Sequence, residues 1–251
     1  MDRLRQALTG HAPDAHAWLP PGPWRVVALT SADPAARAAD VGRRLDLWEA
    51  VLRRQSWREP RLVDVADQAF VLVRDDSAGS PTQKSPAGSW TWLRRVLTAM
   101  ADDGSALLAG AGSTARSPAD LPGSLLQAQE VARALEAGHL DGPARTADEA
   151  WAALTLARAA QSVADGAMDT PVTALHRHDH EEGTAFTSTL TAWLDHQGFA
   201  GEAARSLGVH PNTLRYRMAR VQEFLGVDLD DPGVRLALRL QLLALNDANR
   251  L

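Results

Sequence analysis

The sequence contains no cysteine in 251 residues. Disulfide bridges and thiolate metal sites are therefore excluded, and nothing points to an oxidising compartment. Lysine is nearly absent too: Lys84 is the only one, and the other basic residues are arginines. We read that bias as genome composition rather than function. No apolar run approaches the roughly 20 residues that span a bilayer, and the opening MDRLRQALTGHAPD lacks the basic-then-apolar pattern of a signal peptide. A cytoplasmic address with no membrane partner is expected. A G-x-S-x-G elbow, a Walker loop and any serine, histidine and acid spacing of a nucleophilic triad are also missing. An enzyme reading has no catalytic residues to name, and no cofactor is called for.

What is present is an ordinary globular composition, 45% apolar and 23% charged, in a chain long enough for one large domain or two smaller ones. The net charge of -5 is unevenly spread: from Gly183 onward seven arginines balance seven acids, so the whole deficit lies in residues 1–182. Within GVHPNTLRYRMARVQEFLG, Gly208 to Gly226, Arg215, Arg217 and Arg220 face a single acid, Glu223. Positive charge gathers there.

The proline-rich LPPGPW, Leu19 to Trp24, sets off residues 1–23 as a tail or short helix outside the main fold. WRVVALTS, Trp24 to Ser31, reads as a buried strand. Asp33-Pro34 then caps one helix with Val41, Leu45, Trp48 and Leu52 at helical spacing. RLVDVAD and QAFVLVRD read as two strands joined by a tight turn near Asp67, and Asp75 to Ser89 as a polar loop. TWLRRVLTAM is a helix, SALLAGAG a strand, and SLLQAQEVARALEAG a helix ended by its glycine. The order β-α-β-β-α-β-α predicts an α/β sandwich with one mixed sheet over residues 24–146. From Ala147 the pattern is helical throughout: a linker over 147–182, then an all-α domain over 183–251.

Two motifs invite a ligand. GAGSTA, Gly110 to Ala115, satisfies the G-x-G-x-x-G/A fingerprint after a strand, but Pro118 and Pro122 interrupt the helix that should hold a pyrophosphate. Small residues closing a strand is the better reading. HRHDHEE, His176 to Glu182, places His176 and His180 at the i, i+4 spacing of a helical zinc site, with His178 pointing elsewhere. A solvated helix end accounts for the same residues, so no metal is assigned.

The carboxy-terminal pattern carries more information. Thr184 to Gly198 aligns Phe186, Leu190, Trp193, Leu194 and Gln197 on one helical face. GEAARSL, the turn GVH and PNTLRYRMARVQEFLG follow, which is two helices joined by a short glycine-containing turn behind a supporting helix. Ala203, Ala204, Leu207, Gly208, Val209 and Leu214 occupy the places where such a pair locks together. On the second helix Leu214, Met218, Val221 and Leu225 fall on one stripe, and Asn212, Arg215, Tyr216, Ala219 and Arg220 lie opposite. Asparagine can read adenine, and arginine can read guanine or hold phosphate. Arg217, at the edge of the stripe, is expected to pack its stem and extend its head. The last helix, VRLALRLQLLAL, has two apolar faces: Val234, Leu238, Leu242 and Leu245 on one, Leu236, Leu240 and Leu243 on the other. The second needs a partner in this chain or another copy.

On these residues the segment HPNTLRYRMARVQEFLGVDLDDPGVRLALRLQLLAL, with TLTAWLDHQG before it, resembles the carboxy-terminal helix-turn-helix of the PucR/CdaR family of bacterial transcription regulators. The family signature, similar to H-x-N-T-L-x-Y-R, is matched by His210, Asn212, Thr213, Leu214, Tyr216 and Arg217. The turn and second helix are also similar to the Fis-type motif. Pro211 stands where a basic residue is expected, which removes a phosphate contact, and GFAG replaces the usual asparagine-containing loop. Residues 24–140 resemble the degenerate GGDEF-like domain that precedes this module in the family. Diguanylate cyclases carry GGDEF at the turn between two strands. That turn here reads VADQAF, Val65 to Phe70, without a glycine pair, which implies a sensory or dimerisation domain without cyclase activity.

The resemblance implies a nucleoid-associated, sequence-specific regulator that binds double-stranded DNA as a dimer or higher oligomer, takes a small-molecule effector as a candidate partner, and contacts DNA through His210, Asn212, Thr213, Arg215, Tyr216, Arg217 and Arg220. The rival is a nucleotide-using α/β enzyme with an appended helical module, which predicts a nucleotide near Gly110 to Ala115. A regulator that pairs with another protein and does not itself bind DNA is a third reading.

Overall fold

A computed structural model describes residues 2–39, 41–54, 62–77, 87–165 and 170–248. They form two compact units, Met1–Leu154 and Thr155–Leu251. Most of the polar loop expected after Asp75, residues 78–86, lies outside the described residues.

The elements of the first unit are α1 (Asp2–Leu8), β1 (Trp24–Ser31), α2 (Pro34–Ala38), α3 (Val41–Arg54), β2 (Val63–Val65), β3 (Gln68–Arg74), α4 (Trp90–Asp102), β4 (Leu107–Ala111), α5 (Leu121–Glu136), β5 (Ala144–Thr146) and the start of α6 (Ala147–Asp165). The strands make one mixed sheet in the order β2-β3-β1-β4-β5. Every residue of β1 is buried, and it pairs antiparallel with both β3 and β4, as its apolar centre, Val26 to Leu29, with β-branched residues predicts for a central strand. Alternation then sorts its side chains. Val27 and Leu29 pack with Trp48 and Leu52 of α3 and with Trp90, Leu93 and Leu97 of α4. Val26 and Ala28 pack on the other face with Phe70, Leu121, Leu125 and Ala128.

Three expectations need correction. Residues 1–23 are not a tail outside the fold: Ala7 and Leu8 of α1 and Ala15 join the α5 face of the core, with Leu8 0% exposed. The single helix expected after Asp33 is two, because Ala39 adopts an extended ψ of 149°. Asp33 does cap the first of them, accepting from the Ala35 amide at 3.0 Å. A strand was also missing from the expected order. β5 pairs parallel with β4 and makes the sheet mixed; three residues with Arg145 at the centre carry too short a pattern to be seen.

Gly110 and Gly112 are explained by packing. A Cβ at Gly110 would lie 2.4 Å from the Ala132 nitrogen and 2.6 Å from the Ala128 oxygen, and one at Gly112 would lie 2.0 Å from the Ser124 oxygen. Helix α5 crosses β4 at a distance that only glycine allows. The Gly112 amide donates to Val26 O at 2.9 Å and the Ser113 amide to Gln127 Oε1 at 2.8 Å, so two donors that a nucleotide would want are spent inside the fold. The α5 helix begins at Leu121 with Pro122 in its first turn, and the fingerprint reading loses its glycines to strand–helix contact.

The second unit holds the end of α6 and then α7 (Pro171–Glu182), α8 (Phe186–Asp195), α9 (Ala200–Ser206), α10 (Pro211–Leu225) and α11 (Pro232–Ala248). One core gathers Leu175, Leu190, Leu194, Ala203, Ala204, Leu214, Met218, Val221, Leu238 and Leu242. Of the two faces of α11, the first packs here through Leu238 and Leu242; on the second, Leu236 is 52% exposed.

Candidate nucleic-acid interface

The interface is built from α8 upward. Ala185 at the start of α8 offers no side-chain cap, and the unpaired amides of the first turn need one. Asp179 of α7 supplies it across the junction, accepting from the Phe186 amide at 2.8 Å, the Thr187 amide at 2.7 Å and the Thr184 hydroxyl at 2.5 Å. Burial pushes this carboxyl up, but the hydrogen bonds from Thr184 and from the Thr187 and Phe186 amides outweigh it and hold the group below its ordinary value. Sequence reading missed this role, because the cap precedes its helix by a whole loop and follows no local motif.

Helix α9 lies on α8 and α10 through Ala203 and Ala204, 0% and 1% exposed. The turn is made by Gly208 at φ +64°, where the Gly208 amide donates to Arg205 O and the Val209 amide to Ala204 O. A residue with a Cβ is strained at that φ. His210 then caps α10: its Nδ1 accepts from the Asn212 amide at 3.2 Å, and Pro211 takes the first-turn position. One first-turn amide is thus missing and another is used. The helix end has less to offer a phosphate.

The side chains of α10 divide as the helical period demands. Leu214 and Val221 are fully buried and Met218 nearly so, while His210, Asn212, Thr213, Arg215, Tyr216, Ala219 and Arg220 are exposed and Arg217 is half-buried. Tyr216, the chain's one tyrosine, is 62% exposed, and the Arg220 guanidinium sits 5.8 Å from its ring centroid. Arg220 also donates to Glu223 at 2.7 Å. Near the amino end, Arg215 Nη1 donates to Asn212 Oδ1 at 2.5 Å. One further arginine, Arg205, is exposed on α9, the helix that crosses the backbone in proteins of this architecture. A pattern search of the second helix alone passes over it.

The histidine cluster separates. His178 stacks on Phe186 at 5.6 Å between ring centroids and lies tilted against Phe224 at 4.9 Å. His176 and His180 line an open groove of about 730 Å³ that Asp195 and His196 also border. Among the described residues no three metal-ligating side chains converge on one point, and no described helix is long and apolar enough to cross a membrane.

Comparison with known proteins agrees with this geometry. Residues 186–244 match the PucR C-terminal helix-turn-helix domain, and residues 11–134 match the GGDEF-like domain. An uncharacterised protein in the pkwA 5′ region of Thermomonospora curvata is 47% identical over 49 residues, 20% of this chain and 27% of that protein. The purine catabolism regulatory protein of Bacillus subtilis is 39% identical over 67 residues, 25% of this chain and 13% of the relative. The chain thus spans about a quarter or less of the length of these curated relatives. The crystal structure of a regulator of polyketide synthase expression from Bifidobacterium adolescentis aligns over 99% of this chain and 92% of its own, at 17% identity and a TM-score of 0.36, too low for the two folds to be compared. With a GGDEF-like domain followed by a PucR carboxy-terminal helix-turn-helix domain, the chain belongs to the PucR family.

Proposed function

We propose that the protein is a sequence-specific regulator of transcription that binds double-stranded DNA through α10. The observation that carries this is the division of that helix. Leu214, Met218 and Val221 lock it into the core, and Asn212, Arg215, Tyr216 and Arg220 are left exposed on the other side with three arginines, Arg217 included, against one acid. A helix so placed can enter the major groove, its amino-terminal residues on base edges and the later ones near phosphates. A dimer would set two such helices about 34 Å apart, one per half-site. The protein would work in the cytoplasm on the nucleoid, and the name of the Bacillus subtilis relative favours a metabolic operon as its target.

The GGDEF-like domain is proposed to sense an effector or to dimerise, without catalysis. The turn between β2 and β3 carries Ala66 and Asp67 at φ 49° and 60°, and the resemblance to cyclases implies a glycine pair at that turn, which this sequence lacks. A mobility shift with genomic fragments tests the reading. Retardation of upstream fragments, falling steeply between 50 and 200 mM salt as counterion release requires, is the expected result. No retardation at any salt concentration would leave pairing with another protein as the better account.

A further inference from the structure

We infer that Asn212 and Arg215 act as one unit that offers mainly hydrogen-bond donors, and that the unit reads a guanine. The inference rests on the reading of α10 as a DNA-binding helix. Both side chains are exposed on the amino-terminal turns of α10, three residues apart and therefore on one face. An isolated asparagine presents one donor and one acceptor, the match for adenine N6–H and N7. Here one of the two lone pairs of that acceptor is engaged, because Asn212 Oδ1 takes the Arg215 Nη1 proton at 2.5 Å, and the guanidinium beside it sets a donor where a lone asparagine has only its oxygen. What the pair has left is mostly N–H: both protons of Asn212 Nδ2 and the remaining guanidinium donors, against one lone pair of Oδ1.

Guanine offers two adjacent major-groove acceptors, O6 and N7, whereas adenine puts a donor where guanine has O6. A donor-rich pair therefore gains at guanine, where both acceptors can be met, and sets a guanidinium donor against the N6 donor of adenine. No carboxylate on the helix offsets this, since Glu223 lies about three turns away and is bonded to Arg220 at 2.7 Å. The cap from His210 to the Asn212 amide fixes the backbone that carries the pair. Arg215 is in this account both a base contact and the positioning residue for the Asn212 carboxamide, so the two should act on the same base pair.

The test is selection from a duplex library randomised over about two helical turns, using the full chain and its Asn212→Ala, Arg215→Ala and Asn212→Asp variants, followed by titration of the enriched sequence. Each half-site is expected to hold a guanine whose replacement by adenine weakens parental binding roughly five- to a hundred-fold. All three variants should lose that preference at that one base pair and keep the others. Asn212→Asp is included because it preserves the acceptor for Arg215 and removes the N–H donors. Both positions are exposed, and thermal melts matching the parent establish that the variants fold. An adenine at the position relaxed by Asn212→Ala, or relaxation of different positions by Asn212→Ala and Arg215→Ala, would overturn the inference while leaving DNA binding intact. A parent that enriches no sequence would overturn the DNA-binding reading itself and the inference with it.

Discussion

Replacing Gly112 by alanine separates packing from ligand binding as the reason for the glycines in GAGSTA. The new Cβ would stand 2.0 Å from the Ser124 carbonyl oxygen and 2.5 Å from Ser124 Oγ. Ordinary contact is about 3.5 Å, so α5 must retreat by more than about 1 Å, and the first obstacle is backbone, which no rotamer change relieves. Two hydrogen bonds are strained with it: Ser124 Oγ accepts from the Val26 amide at 3.2 Å and donates to Ser113 O at 2.9 Å. Overpacking costs about 1–3 kcal/mol and each buried hydrogen bond about 1 kcal/mol. Together they lower the stability of the first unit by about 3–5 kcal/mol. Urea unfolding followed by tryptophan fluorescence reads this directly, since seven of the eight tryptophans precede Thr155. With a slope of about 2 kcal/mol per molar, the midpoint should fall by about 2 M. A variant that unfolds at the parental midpoint would refute the close approach of α5.

Three further outcomes follow from the same contacts. Asp179→Ala removes the cap of α8 and should cost the second unit about 1–2 kcal/mol at pH 7. Because the folded carboxyl lies below its ordinary 3.8, this contribution is present above that value and lost as pH falls through the lower, folded one. Parent and variant melts should converge under acid; a gap that persists there would contradict the cap. Ala66→Asn combined with Asp67→Gly supplies the residues that two successive positive φ values prefer. Thermal unfolding of the first unit should shift upward by about 1 kcal/mol, and a downward shift would mean the turn is not as described. Leu214→Ala empties a fully buried site and should cost about 2–5 kcal/mol. Circular dichroism should show the second unit melting early, unlike any variant of the exposed α10 face.

Strong, long signals made much of this fold legible in the sequence. β1 and the two-faced α10 were found because a short apolar run, Val26 to Leu29, and a four-residue stripe at helical spacing each allow one interpretation. The glycine of the helix-turn-helix turn was found for the same reason. What escaped depends on contacts between distant residues. Leu8 looked like part of a tail because its partners, Phe70 and Leu121, come much later in the chain. Asp179 caps α8 from α7, and His178 packs its ring at a tilt against Phe224 of α10; neither pairing leaves a local pattern. The Asn212–Arg215 bond is local, but it is a choice of rotamer among several that spacing alone permits.

The central claim is that the exposed face of α10 holds DNA, and the dependence of affinity on salt tests it most directly. Fluorescence anisotropy with an enriched duplex between 50 and 200 mM salt should give a steep decline for the parent. Arg220→Ala should bind more weakly, with a slope shallower by about 0.9 for the one phosphate contact it loses. Identical affinity and slope for parent and variant, and again for Arg215→Ala, would show that DNA is held by some other surface.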